Sequence, residues 1–207
     1  MKLNTLPINW FDLFLLLWLV IGVLRGRKLG LSSELLTFLQ WATIVIVSAV
    51  AYQPIGDLLG QSSKVISRLW TYVIGYLLAA ALVTLAFGLI KRVFGGKLIG
   101  SDTFGSWEYY LGMPAGMLRF LCMLLTALAL LNARLYTPQE IQADKKYQLK
   151  NFDSDFFSGL KLYTIQAEVF QNSFLGRSIK GYLPFLLIRP TGQGVDSQIR
   201  LKEWQLK

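Results

Sequence analysis

From Leu69 to Ile90 the chain runs without a charged side chain, bounded by Arg68 before it and Lys91-Arg92 after it. About 20 apolar residues is the length at which a helix crosses the hydrocarbon core of a bilayer, where every backbone amide must find its partner inside the segment. The basic flanks fit the headgroup layer. Three further stretches share the pattern: Ile8 to Leu24, broken only by Asn9 and Asp12; about Leu35 to Tyr52; and about Met113 to Leu131, which contains Arg119. The expectation is an all-α integral membrane protein, a four-helix bundle with spans at about 8–24, 35–52, 69–90 and 113–131. A domain of residues 1–135 then precedes an amphipathic, partly helical tail of residues 136–207.

Composition agrees, since 54% of the 207 residues are hydrophobic, more than a soluble domain of this length carries. The net charge of +9 suits topology-setting loops or an anionic lipid surface, and no motif supports nucleic-acid binding. There is no histidine and a single cysteine, Cys122. That removes a histidine base, a His/Cys metal cluster and an internal disulfide. No cofactor is expected, and an intramembrane hydrolase built on Ser48 or Cys122 has no histidine to activate it. The N-terminal run lacks a small-residue cleavage site before Arg25-Gly26-Arg27-Lys28 and reads as a retained span.

Glycine and proline punctuate the loops at Arg25 to Gly30, at Gln53-Pro54 with Gly56 and Gly60, and from Gly95-Gly96 to Gly105. Arg25, Arg27, Lys28, Lys91, Arg92 and Lys97 fall in the first and third loops, against Lys2, Lys64, Arg68 and Arg134 on the other side. The positive-inside rule then puts those two loops in the cytoplasm and both termini outside it.

Thr137-Pro138-Gln139-Glu140 has the form of a capping box with proline at the first helical position. Leu160, Tyr163, Ala167 and Phe170 recur at helical spacing, as do Leu175, Ile179 and Leu183, with Lys161, Arg177 and Lys180 among them. Such segments either lie in the membrane interface or pack on each other as ordinary helices. Gly181 to Ile188 is too short to cross.

Candidate functional residues are the charges and glycines of the spans. Gly22, Gly26 and Gly30 are spaced by four, and Gly112 and Gly116 repeat the interval. Small residues so placed let helix backbones approach in lipid, although Gly26 and Gly30 read more simply as turn residues of a charged loop. Asp12 and Glu34 lie near helix starts, where the positive end of the helix dipole compensates them. Arg119 lies about 9 Å inside its span at 1.5 Å per residue, and a charge at the bilayer centre costs about 2.5–3.5 kcal/mol. Two readings stay open: an ion pair of Glu34 with Arg119 tying the second helix to the fourth, or a snorkelling Arg119 beside a helix-capping Glu34.

Asn9-Trp10-Phe11-Asp12 ahead of an apolar run, then GVLRGRKLG from Gly22 to Gly30, then Ser33-Glu34-Leu35-Leu36, resemble the bacterial colicin V production protein (CvpA) family. Gly112, Gly116 and Arg119 occupy its Gly-x-x-x-Gly-x-x-Arg pattern at the fourth span. Ser173 to Gly176 and Tyr182-Leu183-Pro184 resemble a segment after the last helix. Phe120 departs from the pattern, where glycine often follows the arginine. The resemblance implies a multi-pass bacterial inner-membrane protein required for colicin V production or export, with wider links to envelope homeostasis. It brings no catalytic residues, and Asp12, Arg25, Glu34 and Arg119 carry over as motif positions. The expected function is non-enzymatic, an accessory role exercised on the lipid bilayer with a membrane-protein partner or a second copy of the chain. The alternative is a small transporter or channel component using Asp12, Glu34 and Arg119.

Overall fold

The computed structural model describes residues 9–62, 67–99, 105–134, 136 and 162–191. Four long helices dominate it: α1 (Trp10–Leu29), α2 (Leu31–Ser62), α3 (Arg68–Ile99) and α4 (Glu108–Asn132), the last preceded by a 3-10 turn at Gly105–Trp107. The tail adds α5 (Leu162–Ala167), which continues as a π turn over Glu168–Asn172, then α6 (Phe174–Tyr182) and a 3-10 turn at Pro184–Leu186. The protein is an all-α membrane bundle, and α2, α3 and α4 are each long and apolar enough to cross a bilayer.

By composition α1 falls short of that test, carrying Asp12 at one end and Arg25, Arg27 and Lys28 at the other. It nevertheless runs antiparallel along α4, with Gly26 against Gly112, Gly22 against Gly116, and Trp18 bonded to Phe120. α4 packs in turn on α2, and α2 pairs antiparallel with α3. The long helices therefore form a row ordered α1, α4, α2, α3.

The helices outrun the spans expected of them. Arg25 to Lys28 is the last turn of α1 and not a loop, and α2 continues through Pro54, Gly56 and Gly60. α3 likewise carries its helix past Gly95-Gly96, and α4 starts at Glu108 rather than near Met113. Glycine and proline end helices in water because solvent takes over the freed backbone groups. Among packed membrane helices that exchange is missing, and the helix persists. α2 is about 48 Å long at 1.5 Å per residue, so its ends project beyond an ~30 Å hydrocarbon core.

The two halves of the bundle cohere differently. At the end holding the start of α1 and the close of α4, Phe11, Leu15, Tyr72, Tyr76, Leu124 and Leu128 form a continuous core with Val169, Phe170, Leu187 and Ile188 of the tail. Tail donors also satisfy carbonyls that α4 leaves open at its C-terminus. Gln166 Nε2 donates to the carbonyls of Leu131 (3.0 Å) and Arg134 (2.9 Å), and Thr191 N donates to that of Ala133 at 2.9 Å. In the opposite direction Asn132 Nδ2 donates to Ile188 O at 2.9 Å. Of the two arrangements the sequence left open for the tail, α5 and α6 adopt the packed one, against the bundle end as well as each other. The Thr137–Glu140 capping box, Leu160 and Lys161 lie outside the described residues.

Candidate functional site

At the other end of the bundle no large side chains separate α1 from α4. A Cβ added to Gly26 would collide with the Gly112 carbonyl, one on Gly112 with the Gly26 carbonyl, and one on Gly116 with the Gly22 carbonyl. On Gly22 it would meet Gly116 O and Phe120 Cβ at 3.0 Å. Backbones this close gain dispersion along their whole contact, which drives association where lipid removes the hydrophobic effect. Gly26 thus belongs to the seam and not to a flexible turn. Trp18 closes it below, donating from Nε1 to Phe120 O at 3.1 Å with the two rings 5.0 Å apart.

Gly30 does act as a turn. Its φ of +76° reverses the chain between α1 and α2 in one residue, and its N–H donates to Gly26 O at 3.0 Å. This left-handed conformation suits glycine. Glu108 packs over it, and its Oε1 accepts from Ser32 N at 3.3 Å, filling one open donor in the first turn of α2.

One turn into α2, Glu34 meets Arg119. Arg119 Nη1 donates to Glu34 Oε2 at 2.5 Å, with Glu34 fully buried and the Arg119 side chain 7% exposed. Helical side chains lean toward the N-terminus of their helix, which lets a residue in the middle of α4 reach a partner near the start of α2. The guanidinium also lies 5.1 Å from the centroid of the Phe120 ring. Of the two readings of these charges, the structure contains the ion pair, and Arg119 does not snorkel to an interface.

Asp12 stands at the far end. It closes a capping box with Asn9, whose N–H donates to Asp12 Oδ2 at 3.1 Å, while Asn9 Oδ1 accepts from Trp10 N at 2.7 Å. The same carboxylate accepts from Ser173 Oγ at 2.7 Å and from the amides of Phe174 (3.2 Å) and Leu175 (3.1 Å). One side chain therefore caps two helices 161 residues apart in sequence. Asn9 reinforces the joint through Nδ2, which bonds the Glu168 carboxylate and, at 3.3 Å, its carbonyl.

The structure thus gathers Gly22, Gly26, Gly30, Glu34, Gly112, Gly116 and Arg119 at one place, leaves Arg25 exposed on the outer side of α1, and sends Asp12 to the tail. Ser32 and Glu108 belong to these joints without having been singled out in the sequence, and Ser173 joins them from the segment after the last helix that resembles the family. Glu108 carried a legible signal, an acidic residue in a first helical turn, hidden by placing the helix start five residues later.

Comparison with curated proteins and with solved structures returns no match. The model of the colicin V production protein family matches residues 11–152, most of the chain and all of the glycine seam and ion pair just described. This chain belongs to the colicin V production protein family.

Proposed function

We propose that the chain is a non-enzymatic accessory protein of the bacterial inner membrane, supporting colicin V production or envelope homeostasis through contacts with other membrane proteins. The observation that carries this reading is how the intramembrane charges are used. Glu34 is taken up by Arg119 and Asp12 by the tail, while aromatic and aliphatic residues fill the core at the Asp12 end. A transport pathway calls for ionisable groups arrayed along a route through the membrane, facing a cavity. The outward faces of the helices are apolar instead, with Leu82, Leu85 and Leu89 of α3 all more than half exposed. Arg25, Arg27, Lys28, Lys91 and Arg92 share one end, which supports an orientation with that end in the cytoplasm and the tail outside.

Because Gly112 and Gly116 are covered by α1, a partner is best sought from α3. A photo-crosslinking residue at Leu85 in cells exporting colicin V is expected to trap a discrete membrane-protein adduct. Labelling of lipid alone, in cells whose toxin export depends on this chain, would contradict the accessory reading. Reporter fusions at Lys207 and Gly96 check the orientation, with a cytoplasmic signal expected from Gly96.

A further inference from the structure

The outer face of α1 changes character once along its length. Leu13, Leu17, Ile21 and Leu24 recur at helical spacing, each more than half exposed, and the stripe then continues into Arg25 and Lys28. Leu13 to Leu24 spans about 16 Å at 1.5 Å per residue, close to one leaflet's share of an ~30 Å hydrocarbon core. An open groove of about 450 Å³ lies at the change of character, lined by Ile21, Leu24, Arg25, Lys28 and Leu29. Neither cation makes an ion pair among the described residues. Their spacing of three puts both on one face, whereas Arg27 lies about 200° round the helix from Arg25 at 100° per residue.

We propose that this groove binds an anionic glycerophospholipid, its phosphate held between Arg25 and Lys28 and an acyl chain laid along Leu24, Ile21 and Leu17. Charge complementarity selects the headgroup, since two cations with no ion-pair partner among the described residues face one phosphodiester. The apolar stripe selects a lipid over a free anion, because it continues from the cations toward the bilayer centre for the length of a chain. The negative end of the α1 dipole holds the two cations at this terminus in the absence of any ligand. The inner side of α1 is closed by the glycine seam, so lipid approaches only from the outer side.

Lipid retained by the full-length protein, measured by native mass spectrometry after release from vesicles of phosphatidylglycerol and phosphatidylethanolamine, tests the site. Wild type is expected to keep phosphatidylglycerol preferentially. The double variant Arg25→Gln/Lys28→Gln is expected to lose that preference by roughly thirtyfold, about fivefold for each cation. Arg27→Gln should keep it, and so should the exchange Arg25→Lys/Lys28→Arg, which holds both charges on a fold whose unfolding temperature serves as the control. Undiminished preference in the double variant would overturn the proposal. So would an equal loss in Arg27→Gln, which would mean diffuse attraction to the basic end of α1, or displacement of the lipid by millimolar inorganic phosphate.

Discussion

Glu34 Oε2 and Arg119 Nη1 lie 2.5 Å apart in the interior, joining the first turn of α2 to the middle of α4. A buried ion pair adds little net stability when intact, because both ions have given up their hydration, but removing one partner strands the other. Arg119→Gln is therefore expected to destabilise the bundle by about 3–5 kcal/mol. Neutralising both sites, as in Glu34→Gln/Arg119→Met, should cost clearly less than the single change. Unfolding in detergent micelles followed by circular dichroism measures the difference. A double variant at least as unstable as Arg119→Gln would contradict the stranded-charge argument.

The seam between α1 and α4 leaves no room at Gly26. A side chain there drives the backbones apart instead of pressing on a movable neighbour, so Gly26→Leu is expected to cost about 3 kcal/mol or more, the upper end of overpacking penalties. Gly88 provides the comparison, being a helical glycine on α3 at which an added Cβ meets nothing within 4 Å. Gly88→Leu should stay within about 0.5 kcal/mol of wild type. Equal losses at the two positions would point to helix propensity or insertion, with no special role for the seam.

Asp12 holds the tail by three hydrogen bonds, to Ser173 Oγ and to the amides of Phe174 and Leu175. Hydrogen bonds to a charged acceptor are worth about 1.5–3 kcal/mol each when the alternative is an unmet donor. Asp12→Ala should release α6 while the rest of the bundle holds. Trypsin should then cut after Arg177 at least tenfold faster, and amide exchange at Phe174 and Leu175 should rise. Unchanged cleavage at Arg177 would show that the apolar contacts of Val169 and Phe170 hold the tail without this cap.

Much of the bundle was legible because the bilayer reduces folding to a count of apolar runs. Leu69 to Ile90 announced α3, and the spacing of Gly22, Gly26, Gly112 and Gly116 announced a close approach. Gly26 was nevertheless discounted, since its neighbours Arg25, Arg27 and Lys28 have the composition of a loop. What the sequence could not convey is that a helix end at the membrane surface keeps its hydrogen bonds while its side chains face water and headgroups. Partners across long separations were less legible still. Glu34 and Arg119 stood out as charges in apolar surroundings, so pairing them needed only a shared depth. Asp12 offered a complete local account, a helix-start carboxylate beside Asn9, and nothing in that account pointed to Ser173. The tail's weak periodicity gave no sign of the surface that Val169, Phe170 and Ile188 would cover.

Whether Glu34 and Arg119 are architecture or chemistry decides between an accessory protein and a transporter. Exchanging them, Glu34→Arg with Arg119→Glu, preserves the pair while reversing every field a passing substrate would meet. Colicin V release, measured beside bundle stability in the same cells, is the direct test. The accessory account predicts that each single change abolishes both stability and release and that the exchanged pair recovers the two together. An exchanged pair that restores a stable bundle but releases no toxin would contradict it.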